Sequence, residues 1–85
     1  MSIYEQAIKK WGIDSQIDMA IEECAELIVE LQHARRKRSS VTKICGEIAD
    51  VEIMCSQMRV IFDSTKVDNI KALKLERLKE LIKGE

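Results

Sequence analysis

Two carboxylates stand three residues apart at each end of the stretch from Ile21 to Met54: Glu23 with Glu26, and Glu47 with Asp50. Side chains three apart share a helix face. Two long helices packed antiparallel therefore bring both pairs towards one point. Four carboxylates aimed at one place repel one another unless a cation lies between them. The hard cation that prefers oxygen ligands in octahedral geometry is Mg²⁺, with Mn²⁺ able to take its place. The fold that this pattern demands lays two helices side by side and spends the rest of the chain holding them there.

The remaining composition agrees with helices. In 85 residues there is no proline, there are three glycines, and the aromatic residues are Tyr4, Trp11 and Phe62. Such a mix disfavours a β-rich fold, and the length corresponds to one small domain, 1–85, near the lower limit for a self-sufficient core. With 14 basic and 15 acidic residues the formal net charge is −1, which gives no electrostatic footprint for nucleic acid. Cys24, Cys45 and Cys55 are odd in number and show no zinc spacing. Reduced thiols and a cytoplasmic location are the expectation. No signal peptide and no membrane span are expected.

Hydrophobic periodicity divides the chain into a short helix and three longer ones. The first is expected over 2–11, with Ile3, Ala7, Ile8 and Trp11 on one side and Gly12 as its stop. Ser15-x-x-Asp18 resembles a capping box that starts the second helix over 16–36. Its apolar stripe includes Ile17, Ile21, Cys24, Ile28 and Leu31, with Glu22, Glu26, Glu30 and His33 mostly opposite. The basic run Arg35 to Arg38 suits a helix C-terminus, and Ser39-Ser40 a turn and N-cap. The third helix is expected over 41–62 with a stripe of Ile44, Ile48, Val51, Cys55, Met58 and Phe62, while Ile53, Met54, Val60 and Ile61 fall off it. A helix apolar on several sides is buried on several sides, so a second subunit is expected to cover it, as a homodimer or homotetramer. After Asp63-Ser64-Thr65 a fourth helix is expected over 66–83, where Lys74 and Arg77 share one face.

A single acid on a helix is ordinarily solvated surface. Glu47, however, projects between Met54 and Met58, and Asp50 projects near Ile61. Acids set within an apolar sector need a partner or a metal. Spacing alone leaves a metal site and a charged surface both open.

Glu22-Glu23-x-x-Glu26, followed after 20 residues by Glu47-x-x-Asp50-Val51, resembles the signature of the MazG-like all-α nucleoside triphosphate pyrophosphohydrolases. Trp11-Gly12, Gln16, Met19 to Glu23, Ile48 to Met54 and Lys74 to Leu78 also look like the small single-domain members found in bacteria and phages. The resemblance implies a four-helix MazG-like bundle completed by oligomerisation. It implies cleavage of a nucleoside triphosphate between the α- and β-phosphates, giving monophosphate and pyrophosphate, in nucleotide-pool house-cleaning. Mg²⁺ would be held by Glu23, Glu26, Glu47 and Asp50, and Glu22 and Glu23 would be catalytic, with Glu22 ligating a metal, orienting a ligand or helping to activate water. Lys74 and Arg77 would meet phosphate, and Gln16 and Trp11 the base. For Trp11 itself core packing is the favoured reading, since large aromatic residues mostly anchor cores. The chain departs from the family at Gly46, where related sequences commonly carry another acid.

Two other classes remain in view. A non-catalytic helical interaction module would carry the acids as surface charge. A di-iron or di-manganese carboxylate bundle would add Glu-x-x-His from two helices, whereas His33 is the only histidine.

Overall fold

The computed structural model describes residues 1–84. It is all-helical: α1 spans Ile3–Trp11, α2 Ile13–Arg35, α3 Val41–Ile61 and α4 Ser64–Gly84. The boundaries follow local chemistry. Ser2 caps α1 reciprocally with Glu5: the Ser2 hydroxyl accepts from the Glu5 amide at 3.2 Å, and the Glu5 carboxylate accepts from the Ser2 amide at 3.1 Å. The capping box expected at Ser15 does not form. Gly12, at φ 92° and ψ 157°, turns the chain in one residue, so α2 begins at Ile13 and Ser15 lies inside it. Only glycine adopts that backbone region readily.

The C-terminus of α2 closes without glycine. The amides of Lys37 and Arg38 donate to the carbonyls of Ala34 and His33 at 3.0 and 2.9 Å, with Lys37 in the left-handed conformation at φ 58°. This is the paired hydrogen-bond pattern of a Schellman end. The two serines that follow divide the work. Ser40 caps α3 by accepting from the Lys43 amide at 3.1 Å, and Ser39 donates inward to the Glu30 carboxylate. Asp63 caps α4 by accepting from the Lys66 amide at 3.0 Å.

The antiparallel pair α2 and α3 forms the body of the protomer, and α1 packs on both. The seam differs from the sequence expectation. Its most buried side chains are Gln16, Glu30, Met54 and Gln57, each no more than 6% exposed. Met54, expected off the α3 stripe, is the apolar residue at its centre, while Phe62, expected on it, is 69% exposed. Glu30, expected opposite the apolar stripe of α2, is buried. The inward face is polar along much of its length, so the apolar stripes are only partly used within one protomer. Ile21, Ile28 and Leu31 on α2 and Ile53 and Val60 on α3 stay exposed.

Among the described residues α4 packs on α3 alone, and every residue of it from Ser64 to Gly84 is exposed. Arg59 anchors its start through Asp68 at 2.6 Å. The radius of gyration is 15.8 Å, against about 12 Å for a globular chain of this length. No described helix is long and apolar enough to cross a membrane. All three cysteines are exposed free thiols.

Candidate metal and nucleotide site

Two contacts set the register of α2 against α3. Gln16 Nε2 donates to Gln57 Oε1 at 2.6 Å, and Lys43 Nζ lies 3.6 Å from Glu30 Oε2. Seven residues in from each contact lie Glu23 on α2 and Asp50 on α3. Seven residues complete nearly two helical turns, so the acids occupy the middle of the seam with one polar pair above and another below.

Glu23, Glu26 and Glu47 each place a carboxylate oxygen within 4.8 Å of the others. Glu23 and Glu47 are half-buried, and Glu26 and Asp50 are exposed at the rim. One oxygen of Glu23 and one of Glu47 are shut off from solvent with no hydrogen-bond partner. Such atoms are costly in a folded protein. The electrostatics follow from this crowding. Burial, then the charges of Glu26 and Asp50, raise the Glu23 carboxyl above the ordinary carboxylate range. Glu47 is raised by burial and by the same two neighbours, with Lys43 partly opposing.

Glu26 and Glu47 open onto a groove of about 430 Å³. Glu22, Glu26 and Glu47 line one part of it, and Glu30, His33 and Lys43 another. Glu30 is held in its ionised form by the Ser39 hydroxyl, which lowers its pKa despite burial, with Lys43 and His33 adding to the effect. His33 Nδ1 lies 3.9 Å from its carboxylate. The groove thus runs from an acidic end to one that carries a lysine and a histidine.

Gln16 and Trp11 line a separate pocket of about 250 Å³ with Ser15 and Met19. The core role considered for Trp11 is not realised: the ring is 59% exposed, with Lys10 Nζ 5.5 Å above it. Lys74 and Arg77 are exposed on α4, which touches neither α1 nor α2, so within one protomer they do not join the acids.

Three polar residues of the seam escaped the sequence reading: Glu30, Lys43 and Gln57. The signal was the sevenfold step. Gln16, Glu23 and Glu30 form one series on α2, and Lys43, Asp50 and Gln57 form the other on α3. Set against models of known protein families, curated proteins and solved structures, the chain matches none of them.

Proposed function

We propose that the chain is a Mg²⁺-dependent nucleoside triphosphate pyrophosphohydrolase of the MazG-like type. It would cleave a (deoxy)nucleoside triphosphate to the monophosphate and pyrophosphate. The observation that carries this reading is the pair of partnerless, buried carboxylate oxygens on Glu23 and Glu47, converging from facing helices with an oxygen of Glu26 beside them. A surface cluster of acids turns its oxygens to water. These two are shut off from water on facing helices, and a small hard cation is the partner their chemistry fits.

Glu23, Glu26 and Glu47 would hold the ion, with Asp50 at the rim. A bound Mg²⁺, or Mn²⁺ in its place, supplies charge to phosphate oxygens that carboxylates alone would repel, and acidifies water. The chain's own groups supply the rest. Glu22, exposed on the groove wall, is free to take a proton from the attacking water. Lys43, on the groove wall beside Glu30, offers an ammonium group to the leaving pyrophosphate. Gln16 and Trp11 offer a polar edge and a flat ring to the base.

The functional unit is proposed to be a homo-oligomer. The protomer exposes 6936 Å², whereas a compact monomer of this mass exposes about 5,200 Å². The excess is about twice the roughly 800 Å² that each partner buries in a standard interface. A groove of about 470 Å³ lined by Ile21, Cys24, Ile28 and Met58 marks one such face. The unpacked α4 marks another, and a second copy is the route by which Lys74 and Arg77 would reach a site.

The test is incubation of purified protein with a panel of standard, deoxy and modified nucleoside triphosphates, with Mg²⁺ and with excess EDTA. Products are separated by ion exchange. Monophosphate and pyrophosphate, lost with EDTA, are expected. Failure to turn over any nucleotide with Mg²⁺ or Mn²⁺ would overturn the proposal and leave a helical interaction module.

A further inference from the structure

Gln57 has no place in the chemistry described above, yet it is 5% exposed and makes the shortest polar contact between α2 and α3. It takes the Gln16 amide N–H on its carbonyl oxygen at 2.6 Å. Its own NH₂ is turned to the Met54 sulfur at 3.7 Å. Sulfur of a thioether is a weak acceptor and never a donor. Turning the Gln57 amide over would set its oxygen against that sulfur, lone pair to lone pair. Met54 therefore fixes which end of Gln57 faces α2, and Gln57 in turn fixes which end of the Gln16 amide faces back. The three residues form a chain with a direction, and each is buried.

Gln16 is the member of that chain that lines the pocket beside Trp11, Ser15 and Met19. It lies seven residues before Glu23, or about 10 Å along α2. That is the reach of a nucleotide from its first phosphate to the edge of its base. An amide side chain offers a base one acceptor and one donor side by side. Base edges come in two opposite orders. Cytosine and adenine pair an exocyclic amino donor with a ring-nitrogen acceptor. Uracil, thymine and guanine pair a ring N–H donor with a carbonyl acceptor. An amide free to rotate serves both orders. An amide held in one sense serves one order, and the other meets like against like.

We propose that Gln57 is a specificity-determining positioning residue: by locking the Gln16 amide it makes the Trp11 pocket discriminate bases that present an amino donor beside a ring-nitrogen acceptor from those that present a ring N–H beside a carbonyl. The inference rests on the reading of the site as a nucleotide site, but not on hydrolysis. The pocket binds the base, and the discrimination is present in a monophosphate.

Trp11 is the only tryptophan and stands at the pocket, so its fluorescence reports occupancy. The wild-type protein is titrated with dCMP and dUMP, and with dAMP and dGMP, in Mg²⁺. In at least one pair the affinities should differ by about tenfold or more, the scale of a two-point base contact made or refused. Gln57→Met keeps length and bulk but removes the acceptor. It should bring the members of that pair to within about twofold while the affinity for the better ligand falls less than the ratio does. Gln57→Glu, at pH high enough to ionise it, restores an acceptor towards Gln16 and should restore the wild-type order. A wild-type protein that binds neither pair, or binds each pair evenly, overturns the proposal, as does a Gln57→Met variant with the wild-type ratio. Should Gln57→Met not fold, loss of discrimination in folded Gln57→Glu overturns it too. Turnover of triphosphates is followed separately. Discrimination without hydrolysis would leave this inference standing and remove the enzymatic reading.

Discussion

Lys43 Nζ lies 3.6 Å from the carboxylate of Glu30, and the same carboxylate accepts from the Ser39 hydroxyl, so one buried acid ties α2 both to the turn that follows it and to the first turns of α3. Ser40, next in the chain, caps α3 independently. The Ser40 cap and the Glu30 carboxylate give an internal comparison. Ser40→Ala removes a side-chain cap, a loss of about 1 kcal/mol, or roughly 4–8 °C in Tm for a domain of this size. Glu30→Ala removes the shared acceptor of Ser39 and Lys43 from a position only 4% exposed, and should lower Tm further than Ser40→Ala does. Thermal denaturation followed by circular dichroism compares them. Equal or smaller loss in Glu30→Ala would mean that the turn is held without it.

Glu23 and Glu47 oppose stability when no ion is present, because their buried oxygens lack partners and their charges repel. Glu47→Gln relieves the repulsion and is expected to raise the melting temperature in EDTA. Wild-type protein should gain stability on addition of Mg²⁺, as any ligand of the folded state stabilises it, and Glu47→Gln should lose that gain. Differential scanning calorimetry with and without Mg²⁺ reads both effects. A Mg²⁺-dependent shift of wild-type size in Glu47→Gln would remove this residue from the ligand set.

The same acids set a pH dependence whose direction is unusual. Their folded values lie above the ordinary value near 4.5. Between the two values the folded chain binds more protons than the unfolded one, so stability falls as pH rises through that window. Glu30 behaves oppositely. Its folded value is lowered, first by the Ser39 hydroxyl and then by Lys43, so its contribution is present above the unfolded value and lost as pH falls through the folded one. Metal-free protein should therefore lose stability as pH rises above the ordinary value near 4.5 through the raised values of Glu23 and Glu47, and lose the contribution of Glu30 as pH falls below it. In Glu47→Gln the decline towards neutral pH should be shallower. A melting temperature that climbs steadily from about pH 5 to about pH 7.5 in EDTA would contradict the crowding of these carboxylates.

Helix type and the convergence of Glu23, Glu26 and Glu47 were readable from spacing, because carboxylates three apart on a helix have one face to share whatever surrounds them; Asp50 stays exposed at the rim. Which face of each helix turns inward was not readable. Ile21, Cys24, Ile28 and Leu31 form a cleaner stripe than the face that α2 uses, which runs through Gln16, Glu23 and Glu30. Hydrophobicity ranks faces by composition, and here the more polar face is the one buried within the protomer. The apolar stripe is left for another surface. Gly12 misled the start of α2 for a local reason: one residue at positive φ serves both helices, so no separate N-cap is needed.

That leftover stripe yields the next expectation. Ile21 and Ile28 are 64% and 58% exposed in the protomer and border the same groove. If a second copy covers them, wild-type protein should elute and scatter as a multiple of the 9.8 kDa chain. Ile28→Glu places a charge in that interface and should shift the population to monomer while retaining helical circular dichroism. A monomeric wild type at micromolar concentration would rule out a self-association role for this face.

Gly46 sits in the interior of α3, immediately before Glu47, where the family pattern that the chain resembles would place an acid. Two reasons for a glycine there can be separated. One is close packing. A Cβ built on Gly46 meets nothing within 4 Å, so the protomer itself does not require the small residue. The other is backbone looseness beside the acids. Glycine inside a helix costs about 1 kcal/mol relative to alanine, and α3 runs regularly through the position. Gly46→Ala should therefore stabilise α3 by about 0.5–1 kcal/mol, seen as a rise of roughly 4–8 °C per kcal/mol in thermal denaturation. If looseness serves the site, the same substitution should weaken the Mg²⁺-dependent gain in stability even as the metal-free protein becomes more stable. A loss of stability instead, accompanied by a smaller particle in light scattering, would place a second copy of the chain against Gly46 and assign the glycine to packing between copies.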